Sequence, residues 1–476
     1  MKAKHFYFLL FIFYFLLSAC KTVKPVVQQQ QVTQPTTIET KTQFQPQNIP
    51  ALLNDSIFNN AHVGIYIYEP ATKKIVEEYQ SNKYFIPASN TKIATCYAAM
   101  KYLGDSLLGL MYDTLNIFGK DDSSIQLLGT ADPTFLHPDF KNQKIFDFLK
   151  KIKREKILLG EIKNPYLANP LPYGKGWAWD DYNESFMTEK SYFPIYGNMA
   201  KFYIDDTIIK VIPSYFQKKV YQWNKKVNSF SIEKFNNQNS FFVRESQNKK
   251  ITQIEVPLKL GYDIETTNYN TVEGNLLSDT LKKKIAPSRN SFRDKSFIFS
   301  KNKIYSQPTD SLLKPMMHNS DNFFAEQTLL MISLNQLGFM GDEQIIDTLI
   351  KTIYKDLPQK PRWVDGSGLS RYNLFTPQDF VFILNKMKTD FSWQRISTIF
   401  PTANQGTLKG YYKNFSNKIF AKTGSVSNNY AISGFIKTNS GKDFIFSVMI
   451  NNYNNSNSNA VRLSIEKYLS EVIEKK

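Results

Sequence analysis

Hydrophobic and polar positions change period along the chain, and the changes mark its elements. From His62 to Tyr68 the pattern alternates among β-formers (Val63, Ile65, Tyr66, Ile67). Glu69-Pro70-Ala71 turns it and Lys74 to Tyr79 returns, which predicts two paired strands. Pro87-Ala88 then opens an apolar, helix-compatible stretch from Ser89 through Met100. Towards the other end, Lys418 to Lys422, Tyr430 to Lys437 and Asp443 to Asn451 read as three strands. Asn439-Ser440-Gly441 has the composition of a hairpin turn between the last two. Val461, Ile465, Tyr468, Leu469, Val472 and Ile473 follow helical spacing and predict an amphipathic C-terminal helix. Strands at both termini with helices around them imply an α/β (α+β) fold whose antiparallel sheet is assembled from both ends of the chain. The expected division is a main domain of residues 49–112 and 290–476, with 113–289 inserted. The insertion divides into two small subdomains, 113–194 with 263–289, and the strand-rich and turn-rich 195–262.

The first residues carry an address. Lys2 and Lys4 precede twelve apolar residues, Phe6 to Leu17, followed by Ser18-Ala19-Cys20. Twelve helical residues span about 18 Å, too short for a bilayer core of about 30 Å. A basic start, a short apolar run and small residues match a secretory signal covering 1–19. The cysteine directly after Leu-Ser-Ala resembles a bacterial lipobox, in which Cys20 would be acylated and become the new N-terminus. Residues 21–48 hold eight Gln, six Thr and three Pro, so 20–48 is expected to be a flexible tether, with a reach of about 30 Å. These features imply an exported, membrane-anchored lipoprotein of the bacterial envelope.

Composition narrows the chemistry. The 476 residues are 42% hydrophobic and 21% charged, within the range of globular proteins, so wholesale disorder is excluded. Two cysteines, Cys20 and Cys96, permit neither a disulfide scaffold nor a thiolate zinc site. The four histidines form no HExxH pair and there is no GxxxxGK[ST] loop, which argues against metalloprotease and P-loop chemistry, and the serine chemistry read below needs neither metal nor cofactor. The formal charge of +17 becomes +15 when Lys2 and Lys4 leave with the signal, which suits anionic lipid or an anionic polymer. Nucleic acid is a poor match, because the charge forms no dense basic arm.

Ser89-Asn90-Thr91-Lys92 is one of seven SxxK tetrads and means little alone. Order supplies the information, since Ser320-Asp321-Asn322 and then Lys422-Thr423-Gly424, the only KTG in the chain, follow it. SxxK, SDN and KTG in this order are the signature of penicillin-binding proteins and serine β-lactamases. The interval between the first two motifs is far longer than a compact β-lactamase needs. Here the chain resembles the D-alanyl-D-alanine carboxypeptidase/endopeptidase family (peptidase family S13, penicillin-binding protein 4 type), which carries a large insertion at that place. Ala131 to Phe135, Gly176 to Asp181, Asn322 to Glu326 and Asp365 to Arg371 add to the likeness, which runs from about residue 50 to the C-terminus. Asp321 departs from it, since many members have Asn there. The resemblance implies a β-lactamase/transpeptidase-like domain with a β-rich insertion, peptidoglycan stem peptides as substrate and β-lactams as inhibitors.

The residue types fit that chemistry. A serine hydroxyl needs a base, and on a helix Lys92 faces Ser89 across one turn. A lysine acts as a base only when neutral, so its pKa must fall, through burial and through a second cation at Lys422. Ser320 can relay a proton between the amines and the leaving nitrogen. Asn322 can hold the substrate backbone, while Lys422 and Thr423 suit a terminal carboxylate. Gly424 lets the strand lie close to substrate. The resemblance further assigns the oxyanion hole to the backbone N–H groups of Ser89 and Ser425. It also implies an active-site wall at Asp365 to Arg371 and, in relatives acting on diaminopimelate stems, a side-chain pocket at positions matching Trp177 and Asp180. Cys96 reads as a buried thiol and His318 as structural. Two rival readings are a β-lactamase, for which no dedicated carboxylate is evident between Ser320 and Lys422, and a silent wall-binding protein.

Overall fold

In the computed structural model, residues 50–117, 120–154, 156–160, 165–166, 172–223, 226–235, 238–246, 250–262, 270–288, 302–454 and 458–476 are described. The signal, Cys20 and the Gln- and Thr-rich tether lie outside these residues. Among the described residues no helix is long and apolar enough to cross a membrane.

The alternating segments become strands β1 (His62–Glu69), β2 (Lys74–Tyr79), β3 (Ile419–Val426), β4 (Asn429–Lys437) and β5 (Asp443–Asn451). They form one antiparallel sheet in the order β3-β4-β5-β1-β2, with His62 opposite Asn451. The two chain ends thus share a sheet, as their patterns predict. One boundary differs. β3 continues past Lys422 to Val426, because residues 422–426 stay paired with 429–433, so the KTG lies inside the strand and not at its end.

The central strands are buried on both faces. Ala431, Phe435, Ile445 and Met449 face a helical layer, whereas Ile432, Ile436, Phe446, Val448 and Ile450 face the side covered by the C-terminal helix. Each such side chain contributes about 1.5–3 kcal/mol when fully buried. The helices used below are α1 (Lys92–Tyr102), α2 (Thr309–His318), α3 (Asn322–Leu337), α4 (Pro377–Asp390) and α5 (Ser458–Lys475). α1 is buried from Lys92 through Met100, so its apolar residues cover every side, and it packs on α3 and α4. α4 starts with Pro377 and a Thr376–Asp379 capping box.

Between β2 and β3 the chain forms further sheets. A five-stranded sheet joins Ser106–Ile117, Lys120–Gly129, Lys156–Gly160, Ile285–Pro287 and Lys303–Pro308. One three-stranded sheet comprises Met199–Asp205, Ile208–Ile212 and Gln253–Pro257; another comprises Val220–Gln222, Phe230–Lys234 and Phe241–Glu245. All three contribute to one core that includes Leu110, Leu127, Phe202, Phe230, Phe241 and Val256.

The segment entering α1 is tied to the sheet by side chains. Asn451 on β5 accepts from the Ile86 N–H at 2.6 Å and donates to the Ile86 carbonyl at 3.1 Å. Four residues on, Asn90 donates to Ser433 of β4 at 2.7 Å, and Ser433 donates to Ser447 of β5. Ser89 lies between these anchors. An Asn451→Ala variant leaves both Ile86 groups without their partner and is expected to lose about 2 kcal/mol of stability. Urea unfolding monitored by circular dichroism measures this, and a loss below about 0.5 kcal/mol would remove the clamp from the account.

Candidate active site

Ser89 sits in a 3-10 turn, Ala88–Thr91, that runs into α1 at Lys92. Side chains three apart eclipse in such a turn more closely than in an α-helix. Lys92 Nζ accordingly stands 3.0 Å from Ser89 Oγ. Its other contacts are Asn322 Oδ1 at 2.7 Å and the Ser367 carbonyl at 2.8 Å, both acceptors. A neutral amine has two N–H bonds and one lone pair. With two fixed acceptors taking the N–H bonds, the lone pair is left facing the Ser89 hydroxyl. The turn is strained, since Ala88 has φ +47°. Gly368 backs it so closely that an added Cβ would lie 1.8 Å from the Ala88 carbonyl oxygen.

The other two motifs arrive from separate elements. Ser320 occupies the turn between α2 and α3 with φ +60°, and Lys422 Nζ on β3 donates to its Oγ at 2.9 Å. Lys422 also donates to the Thr423 carbonyl. Asp321 caps α3 by accepting from the Phe324 N–H at 2.8 Å. An Asn side chain caps equally well, which gives the departure at this position a structural reason. Asn322 follows as the first residue of α3, and besides meeting Lys92 it donates to the Phe186 carbonyl at 3.1 Å. β3 is the edge of its sheet, and the Ala421 N–H donates to the Pro401 carbonyl. Beyond Ala421 the strand passes the Ser89 turn. A Cβ on Gly424 would meet Pro87 O at 2.4 Å and Ser89 N at 2.8 Å, so glycine is required here by the protein's own backbone. Thr423 is largely buried and Ser425 is exposed.

Both amines are fully buried. Burial pushes Lys92 down to about 8, against the upward pull of Asp321, Asp365 and Glu326. Lys422 falls well below its ordinary value, through burial and then through Lys92. Each ammonium disfavours the other, and at Lys92 the surrounding carboxylates oppose that effect.

Sequence reasoning reached the Asp365–Arg371 stretch only as a wall. Asp365 Oδ1 accepts from the Gly368 N–H and from Asn373 Nδ2, while Oδ2 accepts from the Ser370 N–H and from Trp177 Nε1. This knot shapes the loop that offers the Ser367 carbonyl to Lys92. Glu326, one turn beyond Asn322 on α3, accepts from the Ser367 N–H at 2.8 Å and so fixes the same residue through its preceding peptide. Burial and Asp365 raise Glu326 to about 7, although Lys190 opposes them. Lys190 is itself buried and paired with Asp342; burial pulls its amine down, but Asp342 and Glu326 hold it above its ordinary value. Lys190, Glu326, Asp342 and Asp365 are far apart in the chain with no motif spacing, so only the fold brings them together.

Trp177 is turned towards Asp365, and Asp180 lies exposed in the short turn Trp179–Asp181. Cys96 is wholly buried, which pushes its thiol up, and burial with Lys314 pulls His318 down.

A Glu326→Gln variant keeps the acceptor for Ser367 N–H and removes a negative charge that favours protonated Lys92. Because Glu326 is raised to about 7, the effect appears where it is ionised: the rate at about pH 7.5 relative to about pH 9 should rise by roughly twofold or more as the acid limb moves to lower pH. An unmoved limb would mean that the carboxylate does not act on Lys92.

Comparison with known proteins gives the same picture. The chain is 22% identical over 449 residues to D-alanyl-D-alanine carboxypeptidase DacB of Haemophilus influenzae, covering 84% of this chain and 88% of that protein. The crystal structure of penicillin binding protein 4 (dacB) from Haemophilus influenzae superposes with a TM-score of 0.67 at 21% identity, over 87% of this chain and 97% of that one. A second structure of that protein, complexed with a novel β-lactam, gives 0.62 at 20% identity, over 89% and 98%. The likeness in structure establishes a shared fold. A match to the D-Ala-D-Ala carboxypeptidase 3 (S13) family spans residues 45–472, and the chain belongs to that family.

Proposed function

We propose that this protein is a serine DD-carboxypeptidase/endopeptidase that cleaves D-Ala-D-Xaa bonds of peptidoglycan stem peptides through an acyl-enzyme on Ser89. The observation carrying this reading is the Lys92 amine, held 3.0 Å from the Ser89 hydroxyl with both of its other contacts to acceptors. Lys92 takes the hydroxyl proton as Oγ attacks the scissile carbonyl. Backbone N–H groups of Ser89 and Ser425 receive the developing oxyanion, each worth about 3 kcal/mol in comparable enzymes. Ser320, bonded to Lys422, passes a proton to the leaving nitrogen, and the terminal residue departs. Water then cleaves the ester and restores Ser89. Asn322 still has an amide N–H for a substrate carbonyl, beside the one given to Phe186.

Lys422 and Thr423 receive the substrate's terminal carboxylate. Burial makes a charged Lys422 costly, so an arriving anion supplies the partner that stabilises its ammonium form. Asp180 and Trp177 belong to the wall that meets the side chain of the stem peptide. Chemistry resides in 49–112 with 290–476, and the insertion frames the substrate. Family membership implies an exported, envelope-associated protein. Acylation at Cys20, with 20–48 as leash, is the anchor that accounts for the signal-like N-terminus.

Incubation with penicillin should add one covalent adduct, mapped by peptide mass analysis to Ser89. Ser89→Ala should lose both adduct and D-Ala release with an unchanged circular dichroism spectrum. An adduct on another serine would refute the assignment. The acylation rate should rise with pH through about 8 as Lys92 loses its proton, and a flat profile would remove Lys92 as the base. A chromogenic cephalosporin should give one stoichiometric burst, whereas steady turnover would make the protein a β-lactamase.

A further inference from the structure

The sheet of Val220–Gln222, Phe230–Lys234 and Phe241–Glu245 has two unlike faces. Phe230, Phe241 and Val243 point inward and are buried. On the outer face Tyr221 lies opposite Phe242, and their rings stack at 5.3 Å and 21°. Phe235 meets Phe242 edge-on at 5.6 Å. Trp223, two residues beyond Tyr221, is 97% exposed. Glu233 is paired with Phe242 in register, and its carboxylate accepts from Arg244 at 2.7 Å with both side chains largely exposed. Single exposed aromatics are ordinary, but Tyr221, Phe242 and Phe235 touch one another on one face, and with Trp223 just past the end of the Tyr221 strand they make a patch.

The chemistry of this patch selects among partners. A lipid interface would have to desolvate the Glu233–Arg244 pair along with the rings, which is costly. A sugar ring matches both halves of the surface. Its flat C–H face lies on an aromatic slab, and its hydroxyls bond a carboxylate and a guanidinium at the edge. Lys218 and Lys226, which flank the Tyr221 strand in sequence, are exposed and complement a polymer that carries carboxylates. The face also connects to the catalytic region: Asn183 donates to the Lys234 carbonyl, and Phe186 of the same segment accepts from Asn322.

We propose that the outer face bearing Tyr221, Trp223, Phe235 and Phe242 binds the amino-sugar strand of peptidoglycan, holding the polymer while its stem peptides reach Ser89. This rests on the peptidoglycan reading above for its choice of glycan, but not on the catalytic residues.

The test uses the full-length protein, glycan strands stripped of peptide by an amidase, and the variants Trp223→Ala and Tyr221→Ala/Trp223→Ala. Co-sedimentation or affinity electrophoresis should show binding by the wild type, weakened roughly fivefold to tenfold in the double variant. Penicillin acylation and D-Ala release from a short soluble peptide should be unchanged in both variants. Equal binding by wild type and double variant would overturn the proposal. So would a loss confined to anionic phospholipid vesicles, which would make the face a lipid-binding one. If the wild type retains stripped glycan but never acylates, the catalytic reading fails while the glycan face stands.

Discussion

Two lysine side chains buried side by side are the constraint around which this molecule is organised. Neither Lys92 nor Lys422 reaches solvent, and two ammonium groups at such proximity in a poorly polarisable interior are unfavourable. The neighbourhood resolves this asymmetrically. Lys92 has Asp321, Asp365 and Glu326 around it, whereas Lys422 has Lys92 as its charged neighbour. One residue type in two environments thus gives two amines with different charged neighbours, which suits the base and the carboxylate receptor proposed for them.

Holding that arrangement takes more structure than the motif residues provide. Ser367 is gripped through both of its flanking peptides, its N–H by Glu326 and its carbonyl by Lys92. Asp365 knots the loop behind it, and Gly368 lets that loop press against the strained Ala88 carbonyl. Gly424 does the equivalent on the opposite side. Close packing of backbone against backbone immobilises Ser89, and this requires small residues at particular places.

Much of this was legible beforehand, for physical reasons. β1, β2, β4 and β5 announce themselves because alternating or continuous apolar runs bounded by turns have few other solutions, and α5 because its apolar residues keep one phase. The three motifs were readable because chemistry demands those residue types in that order. Other features were not. The end of β3 was misjudged because Gly424 and Ser425 carry no β-propensity, and pairing with β4 decides it. The carboxylates around Lys92 were not foreseen, because Glu326 and Asp365 reach it only through tertiary packing. Asp321 looked like a departure in the catalytic motif, and it proves to be a helix cap.

The pairing of β1 with β5 has a consequence in time. Strand β1 has its hydrogen-bond partner at 443–451, and the Asn451 side chain closes on Ile86, three residues before Ser89. Closing so long a loop cannot begin until residues 443–451 have been synthesised, so the sheet that holds the Ser89 turn is completed late.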